Sequence, residues 1–287
     1  MDSLSNTAAV TSSRLRPRPF SGGGLGGLLP FCGVLFVGTA LAQAPGAPAP
    51  RPATGPVGRA ATPAAAAPAV TPVERFALSD ATAGLKGSGP LYATFEIEQG
   101  KKPLSPVRCE LYTELTPTTV ANFVGLARGL RPYIAPELPG HKTWVRRPLY
   151  DGTWIHRVIP DYMIQGGDPQ CSAIADCGGQ HGMGDAGYSI PDEIRPELRF
   201  DRAGRLAMAN KGPDTGSAQF FITERATPWL NGTATIFGQC EPPDAISALA
   251  RLPHKSMNMP IDPVIIKRVI ISFGAPLKPG PTPVRKP

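Results

Sequence analysis

Arg157 and Gln165 stand eight residues apart in the run Trp154-Ile155-His156-Arg157-Val158-Ile159-Pro160-Asp161-Tyr162-Met163-Ile164-Gln165-Gly166-Gly167-Asp168. A second run answers it, Leu206-Ala207-Met208-Ala209-Asn210-Lys211-Gly212-Pro213, leading to Gln219-Phe220-Phe221-Ile222. Each sets one or two polar groups among apolar and aromatic side chains. Such a site suits a largely neutral, partly apolar ligand and gentle chemistry. Neither run spaces its residues as a nucleophile with a base. Ser217, His181 and Asp185 occur in the chain, but nothing in their spacing arranges them for hydrolysis. Cys171, Cys177 and His181 lack a fourth ligand for zinc, so no metal and no cofactor is expected.

These residues must be held by a scaffold. Leu91, Ala93, Phe95 and Ile97 alternate with polar residues, as do Val107, Cys109 and Leu111, predicting two half-buried strands and a hairpin. Thr116 and Pro117 open a helix whose inner face is Val120, Phe123, Val124 and Ala127, and Gly129 closes it. Further strands are predicted at 150–159, 206–209, 219–223, 235–240 and 264–273, with a second helix at 243–252 and loops at 130–148 and 170–188. The class is mainly β. About eight strands with two helices fit a closed eight-stranded antiparallel barrel capped by the helices, since closure removes exposed edges.

The flanks are different in kind. The 287-residue chain carries 35 prolines, gathered mostly in the first third and at the end. Arg14, Arg16 and Arg18, the uncharged run 25–41 and Ala40-Leu41-Ala42 read as an export signal over 1–42, with an uncleaved membrane anchor as the alternative. Residues 43–89 read as a Pro/Ala-rich disordered linker, 90–273 as the folded domain and 274–287 as a disordered basic tail. The expected location is therefore periplasmic or secreted. There, oxidation favours pairing of cysteines: Cys171 with Cys177 is favoured by proximity, and Cys109 and Cys240 are left as buried thiols or a second bridge. The net charge of +7 is scattered rather than clustered, which argues against nucleic-acid binding.

Taken together, the thirteen-residue run from His156 to Asp168, Met208-Ala209-Asn210 with Gly212-Pro213, Gln219-Phe220-Phe221-Ile222, Trp229-Leu230-Asn231-Gly232 and Phe237-Gly238 resemble the cyclophilins. The likeness spans roughly 90–273 and is nearest the bacterial, exported branch. It implies peptidyl-prolyl cis–trans isomerase activity, serving the folding of exported proteins. Its partners would be proline-containing unfolded or exposed polypeptides, the protein acting as a monomer. It implies that Arg157 is the catalytic residue, aimed at the twisted amide. Tyr162, Met163, Phe221 and Leu230 would line the proline pocket, with Gln165 and Asn210 binding the substrate backbone. Ala209 and Gln219 would form the adjoining wall, and Trp229 would confer binding of cyclosporin. Ala234 stands where the family has a histidine, and the glycine loop around Gly182 is longer than usual. A non-catalytic proline-peptide binding or chaperone module of the cell envelope is the alternative.

Overall fold

The computed structural model describes residues 75–138, 141–172 and 181–275. The stretch read as a signal, most of that read as a linker, the residues beyond 275 and Cys177 lie outside them.

The alternating segments fold as strands β1 (Leu91–Gln99), β2 (Lys102–Pro103) and β3 (Val107–Leu111), followed by a hairpin, β4 (Tyr133–Leu138) and β5 (His141–Val145). Then come β6 (Ile155–Ile159), β7 (Met163–Gly166), β8 (Arg205–Met208), β9 (Phe220–Thr223), β10 (Ile236–Glu241) and β11 (Val264–Phe273). Helix α1 (Leu78–Thr82) precedes them, α2 (Pro117–Ala127) follows β3, and α3 (Pro243–Ala250) follows β10. Short 3-10 turns lie at Pro228–Leu230 and Ser256–Asn258. The main sheet runs β11-β1-β3-β10-β8-β9-β7-β6, antiparallel throughout, with β2 paired to β1.

The expected closed barrel is corrected to an open, curled sheet. Its two edges meet before β6 at a single Trp154–Ile265 bridge, with Gly152 N–H donating to Ile266 O and Ile266 N–H to Thr153 O, both at 2.8 Å. The physical reason lies at the edges. Residues 150–152, expected to extend β6, form a turn instead, and Thr153 bridges to Ser172. Along β6 itself the neighbour is the Ser256–Asn258 turn, whose loop contains Pro260 and Pro263, residues without an N–H for a ladder. A seam is left between β6 and β11.

Inside the curl, Phe95, Phe123, Tyr150, Phe220 and Phe237 form one aromatic cluster, with ring centroids 4.9–6.0 Å apart. Tyr150 satisfies its buried hydroxyl by donating to Ala218 O at 2.9 Å. Cys109 and Cys240, opposed on β3 and β10, are disulfide-bonded, which decides between the two states left open for them. Helix α2 lies where its apolar period places it, but Thr116 is not its side-chain cap. The carboxylate of Glu193 accepts from Thr118 N–H at 3.1 Å and Thr119 N–H at 2.8 Å, satisfying the helix start from a remote loop.

The described structure begins before Pro90, within the stretch read as linker. Phe76 packs on Gly125, where a Cβ would stand 2.3 Å from its ring. The Arg131 guanidinium lies 5.5 Å from the centre of the same ring. Arg128 donates to the carbonyls of Ala81 and Ala83, tying α1 to α2. The 130–148 loop holds the β4–β5 hairpin, and α1 is a third helix among the described residues beyond the two expected.

Candidate active site

Sheet register assembles the site. Arg157 on β6 is opposite Gln165 on β7, Gln165 is opposite Phe221 on β9, and Phe221 is opposite Ala207 on β8. Cross-strand partners share a face, so these side chains form one row, and Met163, two residues before Gln165, joins it. A hydrogen-bond chain runs along the polar part. Arg157 Nη1 donates to Gln165 Oε1 at 3.4 Å, Gln165 Nε2 to Gln219 Oε1 at 2.9 Å, and Gln219 Nε2 to Gly184 O at 2.7 Å. The chain fixes the orientation of both amides and holds the guanidinium beside the row.

The apolar end is a cup. Phe221 stacks on Phe200, centroids 5.8 Å apart at 14°. Phe200, Ala207, Ala234 and Ile236 form its buried floor, against which Leu230 packs. Tyr162 and Trp229 stand at the rim with rings 6.0 Å apart, and Trp229 is 58% exposed. Asn231 Oδ1 accepts from Phe200 N–H at 2.8 Å, joining the turn that carries Trp229 and Leu230 to the floor. The turn bearing Tyr162 is anchored from below: Arg251 on the C-cap of α3 binds Asp161 and Glu224, each at 2.8 Å.

The glycine loop is held by Asp168. Its wholly buried carboxylate accepts from the N–H groups of Gln170 and Gly182 at 2.8 Å and of Gly184 at 3.2 Å. A side chain at 184 could not fit, since its Cβ would meet Asp168 Oδ1 at 2.0 Å. His156 lies behind the loop, 3% exposed. Burial lowers its pKa to about 4, with the nearby Asp168 charge opposing the shift and His181 adding to it. It is therefore a neutral packing group at ordinary pH.

Every residue assigned from sequence to the substrate site lies on described structure. Arg157, Gln165, Gln219, Phe221 and, by register, Met163 are brought into one row, and Leu230, Tyr162 and Trp229 border it. Ala209 N–H donates to Gln219 O at 2.9 Å, placing it on the wall beside Gln219. Asn210 uses its side chain to reach Thr233 O at 2.8 Å, leaving its main chain without a backbone partner among the described residues. Ser217 is engaged elsewhere: its hydroxyl donates to Tyr188 O at 2.7 Å and accepts from Ala186 N–H at 2.9 Å. Cys171 is disulfide-bonded, its favoured partner Cys177 falling outside the described residues. Sequence reasoning missed Phe200, whose signal was its alternation with Leu198 around Arg199. It also missed the loop at Met257–Met259, which has no periodicity to betray it.

The curled antiparallel sheet thus holds a guanidinium beside an apolar cup and two oriented amides. A family model for cyclophilin type peptidyl-prolyl cis-trans isomerase/CLD matches residues 94–271. The peptidyl-prolyl cis-trans isomerase A of Mycobacterium tuberculosis is 41% identical over 169 residues, 58% of this chain and 86% of that protein. The peptidyl-prolyl cis-trans isomerase B of Streptomyces anulatus is 41% identical over 187 residues, 63% and 96%. The crystal structure of a Cryptosporidium parvum cyclophilin type isomerase aligns with TM-score 0.50 and 30% identity, over 65% of this chain and all of that one. The chain belongs to the cyclophilin-type peptidyl-prolyl cis–trans isomerase family. Its activity is the one that names the family.

Proposed function

We propose that the enzyme lowers the barrier to X–Pro rotation by electrostatic stabilisation of the twisted amide, with Arg157 as the catalytic residue. An X–Pro bond isomerises unaided over tens to hundreds of seconds. Raising that to roughly 10³ per second requires about 7 kcal/mol, at 1.36 kcal/mol per factor of ten. No bond to carbon breaks, so what is needed is a donor that binds the twisted amide better than the planar one. The observation that carries the reading is the row itself: a guanidinium held by Gln165 next to the Phe221 cup. A proline ring in the cup brings its amide nitrogen, pyramidal when twisted, within reach of a charge that does not move. Tyr162, Met163, Phe221 and Leu230 hold the ring, Gln165 and the main chain of Asn210 hold the peptide, and Ala209, Gln219 and Trp229 border it.

The substrates in this reading are unfolded or exposed polypeptides containing proline, handled by a monomer during folding of exported proteins. The basic and apolar segment before residue 42 supports export. So does the Cys109–Cys240 disulfide, which an oxidising compartment maintains. The exposed indole of Trp229 next to Tyr162 supports cyclosporin binding. Arg157→Ala should lower kcat/KM on a prolyl peptide by about 100- to 1,000-fold, the usual effect of removing one preorganised donor. Arg157→Lys should recover only part, because the planar fork is lost. Equal rates for wild type and Arg157→Ala would sink the mechanism. N-terminal sequencing and fractionation of the mature protein test the location.

A further inference from the structure

The seam left where the sheet fails to close is not a featureless gap. A cleft of about 390 Å³ opens on Arg157 and Gln165, and none of the cup residues lines it. Its far wall is Met257, Asn258 and Met259. Through His156 and Met259 it runs into a second cleft of about 360 Å³ along the seam, where Ile155, Pro260, Ile261 and Val264 make the lining largely apolar. Arg157 thus has two flanks, the cup on one side and this groove on the other.

The outer wall is built rather than loose. Lys255 N–H donates to Met259 O at 2.7 Å and Ile261 N–H to Pro253 O at 2.9 Å, closing the loop on itself. Within that closure Met257 and Asn258 both hold φ of 59°, a left-handed backbone that a methionine seldom adopts. Strain of this kind persists where the surroundings impose it, and it collects at functional sites. Its effect is to turn Met257 outward: the side chain is 72% exposed beside the catalytic arginine, with Ile261, 51% exposed, further along. Large apolar side chains held in water at the edge of a substrate site are a binding surface without its ligand.

We infer that the Lys255–Pro263 loop is a specificity element that takes an apolar side chain from the two residues following the substrate proline. This rests on the isomerase reading above. The occupant follows from continuity: a peptide spanning the row from Asn210, after β8, to Arg157 on β6 must leave across the β6 edge. The groove lies along that edge. The cyclophilin resemblance implies that the main chain of Asn210 pairs with the peptide before the proline, which leaves the residues after it to meet Met257. No carboxylate lines either cleft among the described residues; the charged groups there are Arg157 at the mouth of the first and Lys255 at the border of the second.

The experiment measures kcat/KM by NMR exchange, without a coupling protease, on the full chain. The substrates are Ala-Ala-Pro-Leu-Leu-Ala, its Asn-Asn counterpart, and a peptide with the Leu pair placed before the proline. Wild type should favour Leu over Asn after the proline by about five- to ten-fold, the scale of partial burial of a leucine. Met257→Asn, whose new side chain tolerates the left-handed backbone, should reduce that ratio to below about two-fold, as should Met257→Gly. Ile270→Thr, an exposed apolar position on β11, should keep the wild-type ratio. Circular dichroism confirms folding of each. Equal rates for the Leu and Asn peptides, or a ratio unchanged in both Met257 variants, would overturn the inference and leave the isomerase reading intact. A preference only for Leu before the proline would overturn it likewise. Failure to turn over any of the three would overturn the isomerase reading itself.

Discussion

The two flanks of Arg157 are built on opposite principles. The cup side is tied into the sheet: Gln165, Phe221 and Ala207 are consecutive partners across β7, β9 and β8, and Phe200 closes the floor. The groove side hangs from a loop whose backbone pairs close on itself among the described residues, with Gln99 on β1 reaching Asp262 O, and it exposes its apolar residues. What the difference teaches is a division of labour. In the proposed mechanism, the part that must match a twisted amide to within a fraction of an ångström is fixed by strand register. In the same proposal, the part that need only sort side chains sits on a loop, where changing a residue leaves the Arg157–Phe221 row alone.

The largest expected effect tests how far the cup side depends on the sheet. Cys109 and Cys240 clamp β3 to β10, across 131 residues of sequence. Replacing both with Ala should cost about 4 kcal/mol by loss of the constraint on the unfolded chain. For a domain of this size that lowers Tm by roughly 10 °C. Well below Tm, kcat/KM should stay within about three-fold of wild type, because neither cysteine touches the row. A loss of activity at unchanged Tm would mean that the bond shapes the cup rather than holding the sheet.

Next in size is a pH effect from His156, one of the residues both clefts share. His156 has its pKa lowered from 6.5 to about 4 by burial. A group with a depressed folded-state pKa contributes stability above its unfolded value of about 6.5. That stability is lost as pH falls towards 4, where the unfolded chain takes up a proton that the folded one refuses. The loss should amount to about 3 kcal/mol between those limits, and urea midpoints across the range measure it. In His156→Gln the slope between pH 6.5 and 4 should flatten correspondingly. An unchanged slope would place the titrating group elsewhere and remove His156 as the neutral wall between loop and groove.

A smaller effect separates the flanks by kinetics. Gln219 orients Gln165 and ties the row to Gly184 O. Gln219→Leu keeps the volume and breaks the chain, so kcat/KM should fall by about ten-fold, one lost hydrogen bond to a charged pair. The change should appear alike for Leu- and Asn-bearing peptides, since the groove is untouched. A change confined to one peptide would show the two flanks to be coupled.

How much of this was legible follows the same line. Phe221, Ala207 and Ile236 of the cup lie on strands, and strands advertise themselves by alternation, as Leu91 to Ile97 and Val107 to Leu111 do. Their chemistry came from resemblance, because an arginine among apolar residues is by itself only an arginine. What was hidden depended on distant partners. Glu193 capping α2, Asp168 gathering Gly182 and Gly184, and Phe76 seated on Gly125 are contacts between segments whose local patterns say nothing of one another. The seam was hidden for a further reason. Whether a curled sheet closes depends on register and on what its last edge meets, and Pro260 and Pro263 show their effect only when placed beside β6.

The smallest effect is the one that distinguishes strain kept for a purpose from strain kept by accident. Met257 holds a left-handed backbone at φ 59° with its side chain largely in water. Such a conformation costs a non-glycine residue about 1–2 kcal/mol, and glycine escapes that cost while losing more entropy on folding. Met257→Gly should therefore stabilise the protein by roughly 0.5–1 kcal/mol, read as a rise in the urea midpoint with unchanged m-value. The same change should remove the preference for leucine after the proline. More stability with less discrimination is the expected signature of a residue retained for selection. If Met257→Gly instead destabilised the fold, the side chain would be packing against the loop, and the groove would be part of the scaffold on which the cup is built.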